Sequence, residues 1–341
     1  MTWGYRMPEE PVVAVAGATG AVGREMLAVL EQRRFPASRV VALASHRSAG
    51  RRVPFAGGEL VVEEMTADSF KGVDVALFSA GASVSREMRD AVTGAGCVMI
   101  DNSSAFRMDD DVPLVVPEVN ADDLLWHSGV IANPNCSTIQ MVVVLDVLRS
   151  LAPITRVVVS TYQAASGAGQ AAMDELYDQT GDLLAGRETV PLAFAHRIAF
   201  NCIPQIDVFL ADGSTKEEWK MVVETRKILG QPELGVAATC IRVPVLRCHS
   251  EAVSIEFGGP ISVAAAREAL AAASGVTVLD EPADGLYPMP ALLEGTDDCH
   301  VGRLRRDESV QNGLQLWIVA DQLRKGAALN TVQIAEALLS R

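Results

Sequence analysis

The residues of this sequence that could do chemistry are centred on a cysteine at position 136. Cys136 follows a turn-forming run, Asn133-Pro134-Asn135, and precedes a segment from Ser137 to Leu148 that is apolar at helical spacing. The pattern predicts that Cys136 lies at or just before a helix N-terminus, where the helix dipole favours a thiolate. The free N–H groups there could also hold the oxyanion formed when a thiolate attacks a carbonyl. A free cysteine is more often a small buried core residue, so this stretch alone leaves a structural role open.

One histidine is placed where a general acid or base could act. His249 belongs to a polar turn, Arg247-Cys248-His249-Ser250, between two β stretches predicted at about 237–245 and 252–257. An imidazole changes its charge near neutral pH and can therefore move protons during a reaction. An exposed loop histidine would have the same sequence context, so that alternative stays open on these residues alone.

A glycine-rich turn near the N-terminus has a form that suits a dinucleotide. The apolar run Val12–Ala16 predicts a buried parallel strand, and residues 17–23, Gly-Ala-Thr-Gly-Ala-Val-Gly, lead from it into a helix predicted over about 24–32. Glycines permit a tight turn and a close approach of the backbone to a pyrophosphate, which the helix N-terminus then faces. The spacing is G-x-x-G-x-x-G, and a structural turn in another α/β protein is the alternative.

The residues after the second predicted strand bear on which dinucleotide binds. That strand, at 40–44, is followed by Ser45, Arg47 and Ser48, where an NAD-preferring site usually has an acidic residue for the ribose 2′-hydroxyl. A guanidinium flanked by hydroxyls could hold a 2′-phosphate, which favours NADP. The alternative is a solvated basic loop, since positions 51 and 52 are also arginines.

Strands and helices alternate through the first part of the chain. Further strands are predicted at 73–78 and 97–100, and Arg107 follows the second of them, at the strand end where α/β sheets bind ligands. Alternation over about 130 residues indicates a mostly parallel sheet.

The pattern changes near Pro153, where a second domain is expected to begin its β structure. Thr215 is a candidate helix N-cap with Glu218 three residues on. Glu217 and Lys220 share a helix face, and a solvated ion pair is their simplest interpretation. The elements predicted here are a β-rich stretch at 156–162, a glycine-rich loop at 166–169, helices at about 170–180, 215–229 and 261–274, irregular structure over 181–214, and a long apolar helical segment from Leu314.

Composition narrows the class of protein. A net charge of −14 over 341 residues argues against partners that are nucleic acids or anionic membranes. The six cysteines are scattered, which indicates a reducing compartment with neither a disulfide framework nor a metal site. No apolar run approaches the roughly 20 residues needed to span a bilayer, and the first residues read as a floppy extension without a signal-peptide core. We therefore expect a cytoplasmic enzyme.

Several stretches together resemble one family. Along nearly its whole length and in the same order, the chain is similar to the aspartate-β-semialdehyde dehydrogenases. The resemblance is carried by residues 17–23, by Asp101-Asn-Ser-Ser-Ala-Phe-Arg107, Asn133-Pro-Asn-Cys136, Tyr162-Gln163 with Ser166-Gly-Ala-Gly169, Glu217-Glu-Trp-Lys220, Ala238-Thr-Cys-Ile-Arg242, His249-Ser250 and Val301-Gly-Arg-Leu-Arg305.

The resemblance implies NADPH-dependent reduction of 4-phospho-L-aspartate to L-aspartate 4-semialdehyde through a cysteine thioester, in the biosynthesis of lysine and diaminopimelate, threonine and methionine. It makes Cys136 the nucleophile, His249 the acid/base and Gln163 a positioning residue at the acyl-enzyme. It assigns Arg242 to the substrate α-carboxylate and Glu217 to the α-amino group. The other substrate-binding residues it implies are Asn135 and, for the phosphate, Arg107 and Lys220. The cofactor-binding residues it implies are Gly17, Thr19, Gly20, Ala21, Val22, Gly23, Ser45, Arg47, Ser48, Ser166, Gly167 and Gln322.

The expected fold is α/β, with a Rossmann-like parallel-sheet NADP-binding domain (1–133 and 320–341) and a mixed α/β catalytic and dimerisation domain (134–319). The resemblance implies a homodimer or a dimer of dimers. Two departures from the family pattern stand out, Cys248 where a small residue is expected and a loop at 181–200 that matches no motif.

Two other functions are weighed against this one. N-acetyl-γ-glutamyl-phosphate reductase also has a Cys/His pair and a similar glycine turn. The Glu217/Lys220 pair and the spacing of Arg242 and His249 favour the aspartyl enzyme, since a free α-amino group needs a carboxylate and an acetylated one does not. A non-catalytic NADP-binding sensor or scaffold is the second alternative, and the presence of both Cys136 and His249 argues against it.

Overall fold

The computed structural model of the chain describes residues 7–340, so the predicted N-terminal extension at residues 1–6 lies outside the described residues. The chain divides into two compact units. Residues up to Asn135, together with those from Gly326 onwards, form the first unit, and Cys136–Lys325 form the second. Within residues 7–340, no helix is both long and apolar enough to cross a membrane.

The first unit is built on a parallel sheet of six strands in the order β5-β2-β1-β6-β7-β8. Its central strands are buried on both faces, which explains their continuous apolar runs. Two further strands, β3 and β4, pair as an antiparallel hairpin that the sequence analysis missed. The elements are β1 Val12–Ala16, α1 Ala21–Gln32, β2 Arg39–Ala44, β3 Arg52–Phe55, β4 Gly58–Val61, β5 Glu63–Glu64, β6 Val75–Phe78, α2 Ala82–Gly94, β7 Val98–Asp101, α3 Pro117–Asn120 and β8 Val130–Ala132.

The second unit is built on a mixed sheet in the order β10-β9-β11-β14-β13-β12. Strands β9 and β10 run parallel, whereas β11 is antiparallel to both β9 and β14. The elements are α4 Cys136–Arg149, β9 Ile154–Gln163, α5 Gln170–Leu184, α6 Lys216–Leu229, β10 Gly235–Arg242, β11 His249–Phe257, α7 Val263–Ala272, β12 Val276–Val278, α8 Pro290–Leu293, β13 Cys299–Arg306 and β14 Gly313–Ala320.

The long apolar helix predicted from Leu314, with an interruption near Gly326, is wrong over its first part, because that run forms strand β14, and is confirmed over Leu329–Leu339. The residues of β14 pair with β11 on one side and β13 on the other, and Gln315 and Trp317 are half-buried between buried neighbours. The run is short and is β-branched at Ile318 and Val319, so its sequence suits a buried strand as well as a helix. Pairing with the two flanking strands makes it a strand.

The last helix, α9 Leu329–Leu339, belongs to the first unit. Asn330 Nδ2 donates to the carbonyl of Val115 at 3.0 Å and to Asn133 Oδ1 at 2.7 Å. The Arg33 guanidinium pairs with Glu336 at 2.7 Å. Buried amide contacts of this kind fix the helix more firmly than the half-exposed ion pair does.

Candidate active site

The candidate nucleophile lies at the N-terminus of a buried helix, as predicted. Cys136 is the first residue of α4 and is partly buried, whereas Ser137, Thr138 and Ile139 behind it are buried. The remaining apolar side chains of α4 anchor the helix in the second unit. The thiol is therefore held rigidly at the positive end of a helix dipole, where a thiolate is favoured.

Three further candidate site residues lie at the ends of neighbouring strands in the second unit. Gln163 and Arg242 are the last residues of β9 and β10 and are partners in the register of the sheet. His249 is the first residue of the antiparallel β11. The prediction of a polar turn around His249 is therefore wrong. The strand begins three residues earlier than the apolar pattern suggests, and its first position is fully buried.

Contacts to the His249 ring fix its tautomer. The backbone N–H of Ala164 donates to Nδ1 at 3.0 Å, so the neutral ring carries its proton on Nε2. Nε2 has no hydrogen-bond partner among residues 7–340. Burial, followed by the nearby positive charge of Arg242, lowers the pKa of His249 well below its ordinary value. At neutral pH the ring is therefore an uncharged donor.

Gly167 packs its backbone directly against this histidine. A Cβ at position 167 would lie 3.0 Å from His249 Nε2 and 2.8 Å from Arg242 Nη1. Both side chains are buried. A side chain at position 167 would therefore displace the Arg242 guanidinium, the His249 ring or both.

We expect Gly167→Ala to lower kcat/KM by about 10- to 100-fold, because small misplacements of reacting groups cost that much. Steady-state kinetics against Gly181→Ala would check this. A Cβ at position 181 would have no neighbour within 4 Å. Equal activity of the two variants would contradict the contact.

Opposite charges meet beside Gln163. Gln163 Nε2 donates to Glu217 Oε1 at 3.2 Å, and Lys220 Nζ donates to Glu217 Oε2 at 3.1 Å. Glu217 is 4% exposed, so this pair is a buried one and not the solvated pair suggested by the helix spacing. The capping box predicted for the same helix is confirmed, with Thr215 and Glu218 bonded reciprocally.

Asp207 is a member of this cluster that sequence analysis missed. Its Oδ2 accepts from Lys220 Nζ at 2.8 Å. Burial lowers the pKa of Lys220, but the carboxylates of Glu217 and Asp207 outweigh that effect and the net pKa is raised. Lys220 therefore stays a cation despite its burial. The partner is distant in sequence, in an irregular segment, so no local pattern could have found it.

Arg242 is a buried cation close to the nucleophile. Its Nη1 donates to the carbonyl of Ala164 at 2.6 Å. Burial lowers the pKa of Arg242, and attraction to Glu217 and then to the Cys136 sulfur opposes that effect. A guanidinium held in this way remains charged. It is suited to binding a carboxylate next to a thiolate.

Arg107 is held within the first unit. Its Nε donates to the carbonyl of Asn133 at 3.0 Å and its Nη2 to the carbonyl of Asn102 at 2.8 Å. The neighbouring Asp101 is buried, which raises its pKa, although bonds from Ser103 and Ser85 oppose the shift. The strand-end position predicted for Arg107 is confirmed, because the residue follows β7.

The glycine turn after β1 is tight and packs closely against the residues that follow β6. Gly17 has φ +88°, and a Cβ there would lie 2.3 Å from the carbonyl oxygen of Ser79. Gly20 N–H donates to the Gly17 carbonyl at 3.0 Å and closes the turn. Helix α1 begins immediately afterwards, at Ala21 and Val22, with Gly23 buried in its first turn. These residues therefore fit a pyrophosphate at a helix N-terminus.

The loop after β2 is tied to this turn. Thr19 Oγ1 donates to Ser48 Oγ at 3.5 Å, a long contact, and Ser45 precedes a short 3₁₀ turn at His46–Ser48. Arg47 is exposed in that turn, and its guanidinium makes no ion pair with any residue in 7–340. It is therefore available to a phosphate.

Cys248 is a structural neighbour of the predicted cofactor residues in the second unit. Its N–H donates to Gln322 Oε1 at 2.9 Å, and Gln322 Nε2 donates to Ser166 Oγ. Cys248 has φ +72°, a region that favours glycine, which explains why a small residue is expected there. Burial raises the pKa of its thiol to about 12. It is therefore no competing nucleophile.

Comparison with known proteins assigns the chain to a family. Residues 12–127 match the model described as semialdehyde dehydrogenase, NAD binding domain, and residues 145–325 match semialdehyde dehydrogenase, dimerisation domain. Aspartate-semialdehyde dehydrogenase from Aquifex aeolicus is 53% identical, with 98% of each chain covered. The Bacillus subtilis protein of that name is 52% identical, with 96% of each chain covered.

The chain belongs to the aspartate-semialdehyde dehydrogenase family. The crystal structure of aspartate semialdehyde dehydrogenase II complexed with ASA from Vibrio cholerae superimposes with a TM-score of 0.95 at 45% identity, covering 97% of this chain and 98% of that one. The family resemblance and the fold class inferred from sequence are thus confirmed. The match to an NAD binding domain also confirms that the cofactor is a nicotinamide dinucleotide, and members of this family are oxidoreductases.

Proposed function

We propose that this protein reduces 4-phospho-L-aspartate to L-aspartate 4-semialdehyde with NADPH, and catalyses the reverse reaction with NADP and phosphate. The observation that carries the proposal is a single cluster in the second unit, in which Arg242 and Glu217 present opposite charges beside Cys136 and His249. An α-carboxylate and an α-ammonium on one substrate carbon match that pair. Relatives about half identical to this chain carry the name of this activity.

The covalent step uses the Cys136 sulfur. Its thiolate attacks the acyl carbon of the substrate, the bond to the phosphate oxygen breaks, and phosphate leaves as a thioester forms. NADPH supplies, when bound, the hydride that reduces this thioester. Breakdown of the resulting thiohemiacetal releases the aldehyde and returns the thiolate. We expect the N–H groups in the first turn of α4 to stabilise the oxyanion in both halves of the reaction.

The role proposed for His249 follows from its tautomer. The neutral ring can donate a hydrogen bond from Nε2–H to the substrate oxygen as negative charge develops there, which is the position of a general acid. Ala164 holds the ring through Nδ1 and Gly167 limits its movement. The histidine can therefore act without first gaining a charge.

The remaining assignments concern substrate orientation. Gln163, held by Glu217 and by Thr161 Oγ1 at 3.3 Å, is proposed to position the acyl-enzyme. Lys220 and Arg107 are proposed to bind the phosphate, and Asn135 to bind the substrate beside Cys136. Lys220 is oriented by two carboxylates, which leaves its remaining donor for a substrate oxygen.

The two units are proposed to be the functional domains, with the dinucleotide in the first and catalysis and dimerisation in the second, the latter matching the family model for dimerisation. We further propose a homodimer, a cytoplasmic location consistent with six free cysteines, and a place in the biosynthesis of amino acids derived from aspartate.

We expect NADP to be preferred over NAD because of Arg47. Removing its charge-assisted contact to a 2′-phosphate should cost about 1.5–3 kcal/mol. Arg47→Ala should therefore raise the KM for NADP about 10- to 100-fold and leave the KM for NAD nearly unchanged. Arg51→Ala, at an exposed arginine nearby, is the matched control. An unaltered NADP/NAD ratio in Arg47→Ala would refute the assignment.

The proposed activity is tested by following NADP reduction with L-aspartate 4-semialdehyde and phosphate, beside N-acetyl-L-glutamate 5-semialdehyde. We expect phosphate-dependent turnover of the first compound only, because the buried Glu217 would face an uncharged acetamide in the second. Preference for the acetylated substrate would favour the reductase of N-acetylglutamyl phosphate. Turnover of neither would favour a non-catalytic NADP-binding protein.

A further inference from the structure

The segment 190–199 has no regular secondary structure, yet buried side chains of α5 hold its backbone. The Glu175 carboxylate, 7% exposed, accepts the backbone N–H of Leu192 at 3.0 Å and also that of Ala193. A buried carboxylate is costly unless it is fully hydrogen-bonded. Here the carboxylate fixes an irregular segment, and it forms no ion pair with a cation among residues 7–340.

A second buried side chain, one turn further along α5, repeats this arrangement. Gln179, 3% exposed, accepts from Ile198 N–H at 3.0 Å and from Ala199 N–H at 3.2 Å through Oε1. Its Nε2 donates to Glu175 Oε1 at 2.8 Å, so the two side chains form one connected network. The segment 190–199 is thus fixed at both of its ends.

Apolar packing attaches the same segment to the loop that contacts His249. Phe194 packs on a small core that contains Ala165 of that loop. The other members of this core are Ala172, Leu176, Ile198, Ala199 and Ile203, with Met173 and Leu183 at its edge.

The Phe194 ring also lies against the proposed substrate arginine. The Cζ atom of Arg242 is 5.8 Å from the ring centroid, within the range of a cation–π interaction. The guanidinium is also held by a hydrogen bond, which its Nη1 donates to the Ala164 carbonyl at 2.6 Å. Because Arg242 is 6% exposed, the ring replaces water around a charge and restricts the direction in which the guanidinium points.

We propose that the segment 190–199 is a positioning element for Arg242, with Phe194 as the positioning residue and with Glu175 and Gln179 holding the segment in place. The proposal rests on the proposed function, because it takes Arg242 to bind the substrate α-carboxylate. Phe194 contacts the arginine and not the substrate. Its loss should therefore weaken substrate binding and leave the chemistry at Cys136 largely intact.

The test compares Phe194→Leu with Phe200→Leu, the same change at a phenylalanine that is 62% exposed just outside the segment. We expect Phe194→Leu to raise the KM for L-aspartate 4-semialdehyde about 5- to 30-fold, the range that a partly desolvated cation–π contact supports. The KM for NADP and kcat should change by less than about twofold, and Phe200→Leu should behave like the unaltered protein. Phe194→Tyr, which keeps an aromatic face, should restore most of the loss.

The role of Glu175 is tested in the same assay. Glu175→Ala should reproduce the KM effect with Phe194 still present, because the segment would no longer be fixed. Adding Phe194→Leu to Glu175→Ala should then raise the KM little further, because both changes disrupt the same contact between Phe194 and Arg242. Glu175→Gln, which retains an acceptor oxygen, should have the smaller effect.

The outcomes separate the two proposals. If the unaltered protein is active, two results would overturn the positioning role alone. One is a KM for L-aspartate 4-semialdehyde that is the same in Phe194→Leu and Phe200→Leu. The other is a KM in Phe194→Tyr that is as high as in Phe194→Leu. A different result would be a lower melting temperature of Phe194→Leu, with kcat, the KM for L-aspartate 4-semialdehyde and the KM for NADP impaired to the same extent. That result would assign Phe194 a merely structural role and would also overturn the positioning role. No activity of the unaltered protein with L-aspartate 4-semialdehyde would overturn the proposed function and the positioning role together.

Discussion

Cys136→Ser should lose nearly all activity, by about 10⁴-fold or more in kcat, because a serine hydroxyl is scarcely ionised at neutral pH and is a poorer nucleophile than a thiolate. The change is almost isosteric at the start of α4, so the fold should be kept. Phosphate-dependent NADP reduction measures the loss, and circular dichroism and thermal melting check the fold.

The control for this variant is Cys202→Ser. Cys202 is an exposed cysteine in the same unit, and we expect its replacement to change kcat by less than about twofold. The buried Cys97, Cys240 and Cys248 have thiols whose pKa is raised by burial, so none of them is ready to substitute for Cys136. Substantial activity in Cys136→Ser would show that Cys136 is not the nucleophile and that its position at the start of α4 has only a structural role.

His249→Asn should slow turnover by about 10²–10⁴-fold, the usual contribution of acid–base catalysis. The KM for L-aspartate 4-semialdehyde should change little, because Arg242 and Glu217 are retained. Stopped-flow measurement of NADPH formation separates the chemical step from product release. A variant that keeps more than about a tenth of the normal rate would remove His249 from the mechanism.

The pH dependence gives a second measurement on the same histidine. The pKa of His249 is lowered by burial and by Arg242, so the neutral ring persists as pH falls through 6.5. Activity that needs the neutral ring should therefore stay flat through this range and decline only at a distinctly lower pH. A limb in kcat/KM near pH 6.5 that disappears in His249→Asn would contradict the environment described for the ring.

Local sequence was sufficient to predict the starts of the two helices at the candidate site, α4 at Cys136 and α1 after the glycine turn. The run Asn133-Pro134-Asn135 with the apolar residues after Cys136 predicts α4, and the glycines from Gly17 predict the turn before α1. Both signals lie within one element and its cap, so neighbouring residues determine them. The parallel sheet of the first unit follows in the same way from short apolar strands that alternate with helices.

Features fixed by distant partners could not be predicted in this way. The run at Leu314 becomes a strand because β11 and β13 flank it, and His249 becomes a buried strand residue because Ala164 and Gly167 cover it. Asp207 and Phe194 lie in irregular segments, and their importance comes from Lys220 and Arg242, which are remote in sequence. Propensity carries no information about such contacts.

The most direct test of the account is mass spectrometry of the protein mixed with L-aspartate 4-semialdehyde and NADP in the absence of phosphate. Oxidation should then stop at the thioester, because no phosphate is present to release the acyl group. We predict an aspartyl adduct on the peptide that contains Cys136, which phosphate removes. An adduct on Cys240 or Cys248, or phosphate-dependent activity with no adduct on any cysteine peptide, would contradict the proposed mechanism.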